Sequence, residues 1–336
     1  MNLSVLGLGM VSKIGTTEAL EAILDQDQID PEDLSKDHSL SIEIPSDFNI
    51  PPQLVRRMGH FAKISLLSAC YALRDSGLGD LTGKSIGIIQ GSVYGPIISG
   101  IQAFDDLIDF GDNQLSPTNF SGSVFNTSST YLSLAFGIQG PVLTHTSGRD
   151  TLYNSLLAAS LWLESKTVDY VILGIGDEYT TYFDHDNISG AGGNSLLPNC
   201  EGWTTFVLGG DDTAKYGKVG FNFLKTLPQT ENKKNIYSLW HERLTSDEFT
   251  SHGKYNQACF PAYLRGSYPG SAAFDLALAL ICANRERFPV FNPLSGNYQM
   301  QLINKNDPVY CYSLSESNGV FCYELINDEL TKWQFR

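Results

Sequence analysis

The chain has 336 residues, 42% of them apolar and 18% charged, enough hydrophobic material for one large or two ordinary globular domains. Its net charge of −15, from 22 Lys plus Arg against 37 Asp plus Glu, argues against a nucleic-acid partner, and no basic run with interleaved aromatics offsets it. No stretch approaches the roughly 20 consecutive apolar residues of a membrane span.

The opening MNLSVLGLGMVSKIG has no basic n-region, so a cytoplasmic location is expected. NLSVLGL over residues 2–8 predicts a buried strand, with a turn at Gly9 and a helix over about 16–24. Residues 26–50 are acidic and Pro-punctuated, the pattern of a surface excursion. One long helix is predicted from Pro52 to Ser76, stopped by Gly77, and its Arg56, Arg57 and His60 read most simply as a solvated face. SIGIIQ at 85–90 is a continuous apolar run of the kind found in buried parallel strands. It leads into Gly91, Ser92 and Gly95, a Gly-rich loop whose lack of a Walker or GxGxxG context speaks against a phosphate site. GPIISGIQAFDDLIDFG then predicts a helix.

A helix over Gly122–Ala135 carries Ser, Asn, Thr and Ala that permit close approach of another backbone. Gly140-Pro141 punctuates, Val142–Thr144 is a short strand, Ser147-Gly148 breaks it, and a helix is predicted from Thr151 to Glu164. A buried strand follows at Val168–Ile175, ending Gly174-x-Gly-Asp-Glu. The turn Thr146–Asp150 thus holds its central side chain at a helix N-terminus. There free N–H groups and the helix dipole lower a thiol's pKa and steady an oxyanion. A nucleophile is expected at such an elbow; the residue present is Arg149.

Trp203–Gly209 reads as a strand, and from about Lys215 a second half repeats the grammar: strands near 218–225 and 236–240, a helix over 271–284, strands near 308–314 and 319–325. Residues 1–212 and 213–336 form the two expected halves, with no residue-level repeat. The six cysteines show no CxxC and no His-spaced metal pattern, so buried structural thiols are expected, with no metal and no cofactor.

From Ser116 to Arg149 the chain resembles the β-ketoacyl synthases of the thiolase superfamily. Asn126 takes the place of that family's Asn in a small-residue helix, and Gly137, Gly140 and Pro141 its Gly-x-x-Gly-Pro. Arg149, eight residues after Pro141, stands where the family keeps its nucleophilic Cys. The resemblance implies a thiolase-like α/β fold of two related halves layered α-β-α-β-α. Guanidinium stays protonated and has no lone pair with which to attack a thioester, so no acyl-enzyme is expected at this position.

The family's other catalytic positions are also altered. IYSLWHERLTSD resembles the strand into its His-Gly-Thr-x-Thr motif and places His241 on the first histidine, but Glu242 and Leu244 break the rest. RGSYPGSAAFDLALAL puts Ser267 where the second histidine belongs, the preceding Lys falls on Ala262, and Ser315–Gly319 is a reduced form of the C-terminal Gly-rich loop. His241 alone reads as a structural histidine. Ser147 lacks the G-x-S-x-G context and an identifiable Asp/His set.

Retaining the fold without the chemistry resembles one branch, the chain length factors (ketosynthase β) of type II polyketide synthases. It implies a non-catalytic subunit paired with an active ketosynthase, closing a tunnel whose depth limits the polyketide. Asn119, Phe120 and Ser123 are the implied tunnel-lining residues. Carrier-protein docking falls to the partner, since acidic carriers repel an acidic chain. That branch usually carries Gln at the Arg149 position, linked to priming by decarboxylation, and Arg departs from it. The alternatives are a stand-alone ketosynthase or acyltransferase with an unorthodox nucleophile such as Ser147 or Cys259, and a homodimeric thiolase-like binding protein.

Overall fold

In the computed structural model the described residues are 2–30, 39–111, 116–181, 200–210, 214–225, 234–238, 258–259, 264, 268–291, 297–303, 309–315, 317 and 320–326. Strand β1 (Asn2–Ser12) runs straight through the turn expected at Gly9; the chain reverses after Lys13-Ile14 into β2 (Gly15–Thr16) and α1 (Thr17–Leu24). β3 (Gln28–Ile29) lies inside the segment expected to be a surface excursion. The single helix predicted from Pro52 to Ser76 is two, α2 (Pro52–Arg57) and α3 (His60–Ser76). Met58 is extended between them (ψ 131°) and Gly59, a poor helix former, starts the second.

β4 (Ile86–Gly91) and α4 (Ile97–Phe110) follow as predicted. The helix predicted from Gly122 starts later. A short α5 (Pro117–Gly122) is capped by the Ser116 hydroxyl, which accepts the Asn119 N–H, and a turn separates it from α6 (Thr127–Phe136). The chain continues through β5 (Val142–His145), a 3₁₀ turn at Gly148–Asp150, α7 (Thr151–Glu164), β6 (Tyr170–Asp177) and β7 (Gly202–Gly209). The second half contains β8 (Lys218–Leu224), β9 (Lys234–Ser238), β10 (Ala258–Cys259) and α8 (Ala272–Arg285). β11 (Arg287–Phe291), β12 (Tyr298–Leu302), β13 (Val309–Leu314) and β14 (Val320–Ile326) complete it.

The sheet order reveals a duplication that the residues conceal. The first set lies β5-β4-β6-β7-β1 and the second β10-β9-β13-β14-β8. Numbered within each set in chain order, both read third, second, fourth, fifth, first. Pairing matches too: the three strands at one side are parallel, and the last two pairs are antiparallel. The sets join where Asn2–Ser4 of β1 pair antiparallel with Lys218–Gly220 of β8.

Helices α3 and α6 cover one face of the first set, closing a core of Leu66, Ala69, Ile88, Leu132, Ile172 and Val207. α7 and α8 cover the other face, and their residues share a second, larger core with β8, β13 and β14. Tyr153 of α7 stacks on Phe321 at 4.3 Å and meets Phe221 edge-on at 5.5 Å, so the middle helices bind both sets. α8 is apolar on nearly all sides, as a helix between two sheets must be. A separate three-stranded sheet, β11-β12-β3, ties the two chain ends together, reinforced by Arg285 on Glu21 and Asp25 and by Arg287 on Asp27.

Cys70, Cys200, Cys282, Cys311 and Cys322 are buried and unbridged, and burial pushes the Cys70 thiol up to about 12, which keeps it inert. No helix among the described residues is long and apolar enough to cross a membrane.

Candidate functional site

Parallel strands β5, β4 and β6 end side by side at His145, Gly91 and Asp177, so the loops that follow them share one edge of the sheet. After β5 comes the elbow. Gly148 takes a left-handed conformation (φ 55°), and Thr151 locks the turn from the helix side. Its Oγ1 accepts the Ser147 N–H at 3.0 Å and donates to the Gly148 carbonyl at 2.7 Å. Arg149 is half-buried in this turn, one residue before the N-cap of α7. The strand, tight turn and helix expected around it are all present. Upstream, Gly140 is forced by packing, since a Cβ there would lie 2.0 Å from the Ile86 carbonyl oxygen.

The loop after β4 is anchored by a carboxylate, consistent with the reading that it is no phosphate cradle. Asp177 Oδ1 accepts from the Ser92 hydroxyl at 2.5 Å and from the N–H groups of Val93 and Tyr94 at 3.0 and 2.9 Å. Next to it, Glu178 Oε1 accepts the Ile98 N–H at 2.9 Å, and Glu201 lies close by with Oε2 on the Tyr179 N–H. His60 places Nε2 2.7 Å from Glu201 Oε1. The solvated-face reading of His60 is therefore corrected: it is half-buried and ion-paired to a buried carboxylate. Burial raises Asp177 to about 6 and Glu178 to about 7, outweighing the hydrogen bonds that would lower them. For His60 burial pulls downward, but the hydrogen bond and charge of Glu201 more than offset it and the ring's pKa is raised.

Outward from this cluster lies a cleft of about 400 Å³, walled by Tyr94, Ile97 and Phe104 on one side and by Phe120, Ser123 and Phe125 on the other. Of the three residues singled out in the sequence, Phe120 and Ser123 line this cleft. Asn119 does not face it: its amide donates to Asp106 of α4 at 3.1 Å, tying α5 to α4. Apolar side chains of α4 and of the turn after α5 are also exposed: Phe104 is 67% and Ile108 77% exposed, with Leu107, Phe110, Val124 and Phe125 out in solvent as well. β5, with Val142 exposed, ends the sheet on the same half of the chain. A larger hollow of about 1020 Å³, lined by polar and apolar side chains in near-equal measure around Gly79–Ile86 and Phe136–Gly140, lies at the opposite end of β4 from the elbow.

His241, Ser267, Ala262 and the loop at Gly190–Gly193 lie outside the described residues. What sequence reasoning missed is the carboxylate cluster. The run Gly174-x-Gly-Asp-Glu was visible, but its burial and its hold on α4 depend on residues 80 or more positions away.

Residues 30–192 match the family model of the β-ketoacyl synthase N-terminal domain. No curated protein matches the chain. Among solved structures, the ishigamide ketosynthase/chain length factor superimposes with a TM-score of 0.73 at 16% identity, over 97% of this chain and 99% of that one. A β-ketoacyl synthase from Burkholderia phymatum gives 0.69 at 14% identity, over 97% and 100%. A type II polyketide synthase acyl-carrier protein in complex with its ketosynthase bound to the hexaketide gives 0.69 at 16%, over 96% and 98%. Likeness at these identities is likeness of fold, and the fold is the thiolase-like one of the ketosynthases.

Proposed function

We propose that this chain is a ketosynthase-like subunit without condensing chemistry of its own, which pairs with an active ketosynthase and sets polyketide length through the tunnel their shared surface encloses. The observation that carries this reading is Arg149 in the elbow. A guanidinium has five donors and no lone pair at any working pH, so the turn built to activate a nucleophile holds none at its centre. The exposed apolar cleft supports the second half of the proposal, since a surface of that character is stable when another chain covers it. Solved relatives of this fold include a ketosynthase with a chain length factor and a ketosynthase with its carrier protein. With a net charge of −15, this chain leaves carrier docking to its partner.

Length control follows from volume. Each two-carbon extension needs further room in a close-packed cavity, and the rings of Phe104, Phe120 and Phe125 occupy that room. Phe120→Ala is expected to shift the product of the reconstituted pair toward chains longer by at least one two-carbon unit, with the bond-forming chemistry unchanged. Mass spectrometry of the released polyketides reads the result, and an unaltered product size removes Phe120 from the tunnel. The stand-alone enzyme reading is tested on the isolated chain with malonyl- and acyl-loaded carrier. Intact-protein mass is expected to show no acyl adduct; a covalent adduct on Ser147 or Cys259 would overturn the proposal.

A further inference from the structure

The cleft beside α4 is poor in hydrogen-bond donors. Among the described residues that line it, only Tyr94 and Ser123 carry a polar side chain, and the Ser123 hydroxyl already donates to the Phe120 carbonyl at 2.8 Å. The backbone donors are occupied too. The Tyr94 N–H goes to Asp177 Oδ1 at 2.9 Å, that of Ile97 to the Gly95 carbonyl at 2.8 Å and that of Gly100 to the Pro96 carbonyl at 3.0 Å. Pro96 has no N–H, and Ile101 to Leu107 lie within α4, whose own carbonyls take their N–H groups. On the facing side the Phe120 and Ser123 N–H groups are held by the Ser116 and Phe120 carbonyls at 2.9 and 3.2 Å. What the cleft offers is apolar contact, from the rings of Phe104, Phe120 and Phe125 and from Ile97, Ile101 and Leu107. Gly100 leaves room among them, since a Cβ there would meet nothing within 4 Å.

We propose that the chain growing in this cleft is a hydrocarbon, saturated or conjugated, whose ketones are removed between extensions, and that an unreduced poly-β-ketone is kept out. The inference rests on the reading that the cleft is this subunit's half of the tunnel, and it adds the chemical class of what the tunnel takes.

An unreduced chain carries a carbonyl at every second carbon. Water hydrogen-bonds each of them; in the cleft that water is lost, and even with the Tyr94 hydroxyl counted as a donor this wall has too few to replace it. A chain without those oxygens gives up no hydrogen bond on entry and gains with every carbon it buries. The enzymes that feed the pair must then include a reductase, which adds hydride from a reduced nicotinamide to the β-carbonyl carbon and a proton to its oxygen. For a conjugated chain a dehydratase follows, removing that hydroxyl with an α-proton as water and leaving a carbon–carbon double bond.

The test uses the complex of the full chain with an active ketosynthase, the chain labelled at its isoleucine methyl groups for NMR. Two probes of equal length are titrated in: octanoyl pantetheine amide, and a dioxaoctanoyl pantetheine amide in which two methylenes are replaced by ether oxygens that accept hydrogen bonds and cannot enolise or cyclise. The octanoyl probe is expected to shift the Ile97 and Ile101 methyl resonances and to bind roughly tenfold tighter than the dioxa probe, the difference for two buried methylenes exchanged for unsatisfied oxygens. Ile101→Asn places an amide donor on the wall and should bring the two affinities within about threefold of each other; should that variant fail to fold, the wild-type titration decides alone. Equal affinities in wild type, or a preference that Ile101→Asn leaves untouched, overturn the hydrocarbon class and leave length control standing, since Phe120→Ala tests that separately. A complex that does not form, or one in which neither probe moves the Ile97 and Ile101 methyls, brings down the tunnel reading and this inference with it.

Discussion

Gly9→Ala is expected to destabilise the chain by about 3 kcal/mol or more and to remove most of the soluble protein. A Cβ at Gly9 would lie 2.1 Å from the Ser68 carbonyl oxygen and 2.4 Å from the Ala72 nitrogen. Both are backbone atoms of α3, so no rotamer change relieves the clash. β1 cannot retreat either, because it pairs with β7 along most of its length and with β8 at its start. α3 is held to it by the Ser68 hydroxyl, 2.9 Å from the Gly9 carbonyl oxygen and 2.8 Å from Thr205 Oγ1. Overpacking ordinarily costs about 1–3 kcal/mol, and an obstacle made of backbone belongs at the top of that range. Against a total of about 5–15 kcal/mol that is a large share. Gly100→Ala is the control: in the interior of α4, with nothing within 4 Å of its Cβ, it should stabilise by up to about 1 kcal/mol. Urea unfolding of the two variants separates them, and a Gly9→Ala midpoint within error of wild type would mean that α3 does not lie on β1 as described.

The same glycine shows where sequence reading stops. A Gly within LSVLGLG marks either a turn or a close approach of another backbone, and only the approaching element, α3, distinguishes them. Local signals carried further. The runs VDYVILGI and WTTFVLG are buried strands because continuous apolar segments need cover on both faces, and the elbow was legible because its strand, Ser-Gly break and helix are contiguous. Contacts distant in the chain were not legible. β3 is two residues long and becomes a strand only through β12, some 270 positions later, and His60 looks like a solvated helix residue until Glu201 is placed beside it. The duplicated strand order was hidden because strand order is a property of pairing, which different residues satisfy equally well. In the candidate site, Phe120 and Ser123 were reached through resemblance alone. The α4 wall opposite them was missed, because an amphipathic helix does not declare which of its apolar residues the fold leaves uncovered.

That uncovered face is where one charge should do most damage to partnership without damage to the chain. Phe104→Asp is expected to weaken pairing with an active ketosynthase at least a hundredfold, about 2.7 kcal/mol, while leaving the unfolding transition of the isolated chain within about 0.5 kcal/mol of wild type. The asymmetry comes from exposure. At 67% exposed, Phe104 gives the isolated fold little, so its loss costs the fold little. Within a pair its ring would be desolvated beside the cleft, where large aromatics act as anchors, and a carboxylate there would be stripped of water without a partner. Leu302→Asp is the matched control, since Leu302 is 84% exposed but lies on β12, in the separate three-stranded sheet. Titration calorimetry against an active ketosynthase that pairs with the wild-type chain gives the three affinities. If Phe104→Asp binds as tightly as wild type, or Leu302→Asp weakens binding as much, the α4 face is not the pairing surface. The 400 Å³ cleft would then be a surface pocket and not half of a tunnel.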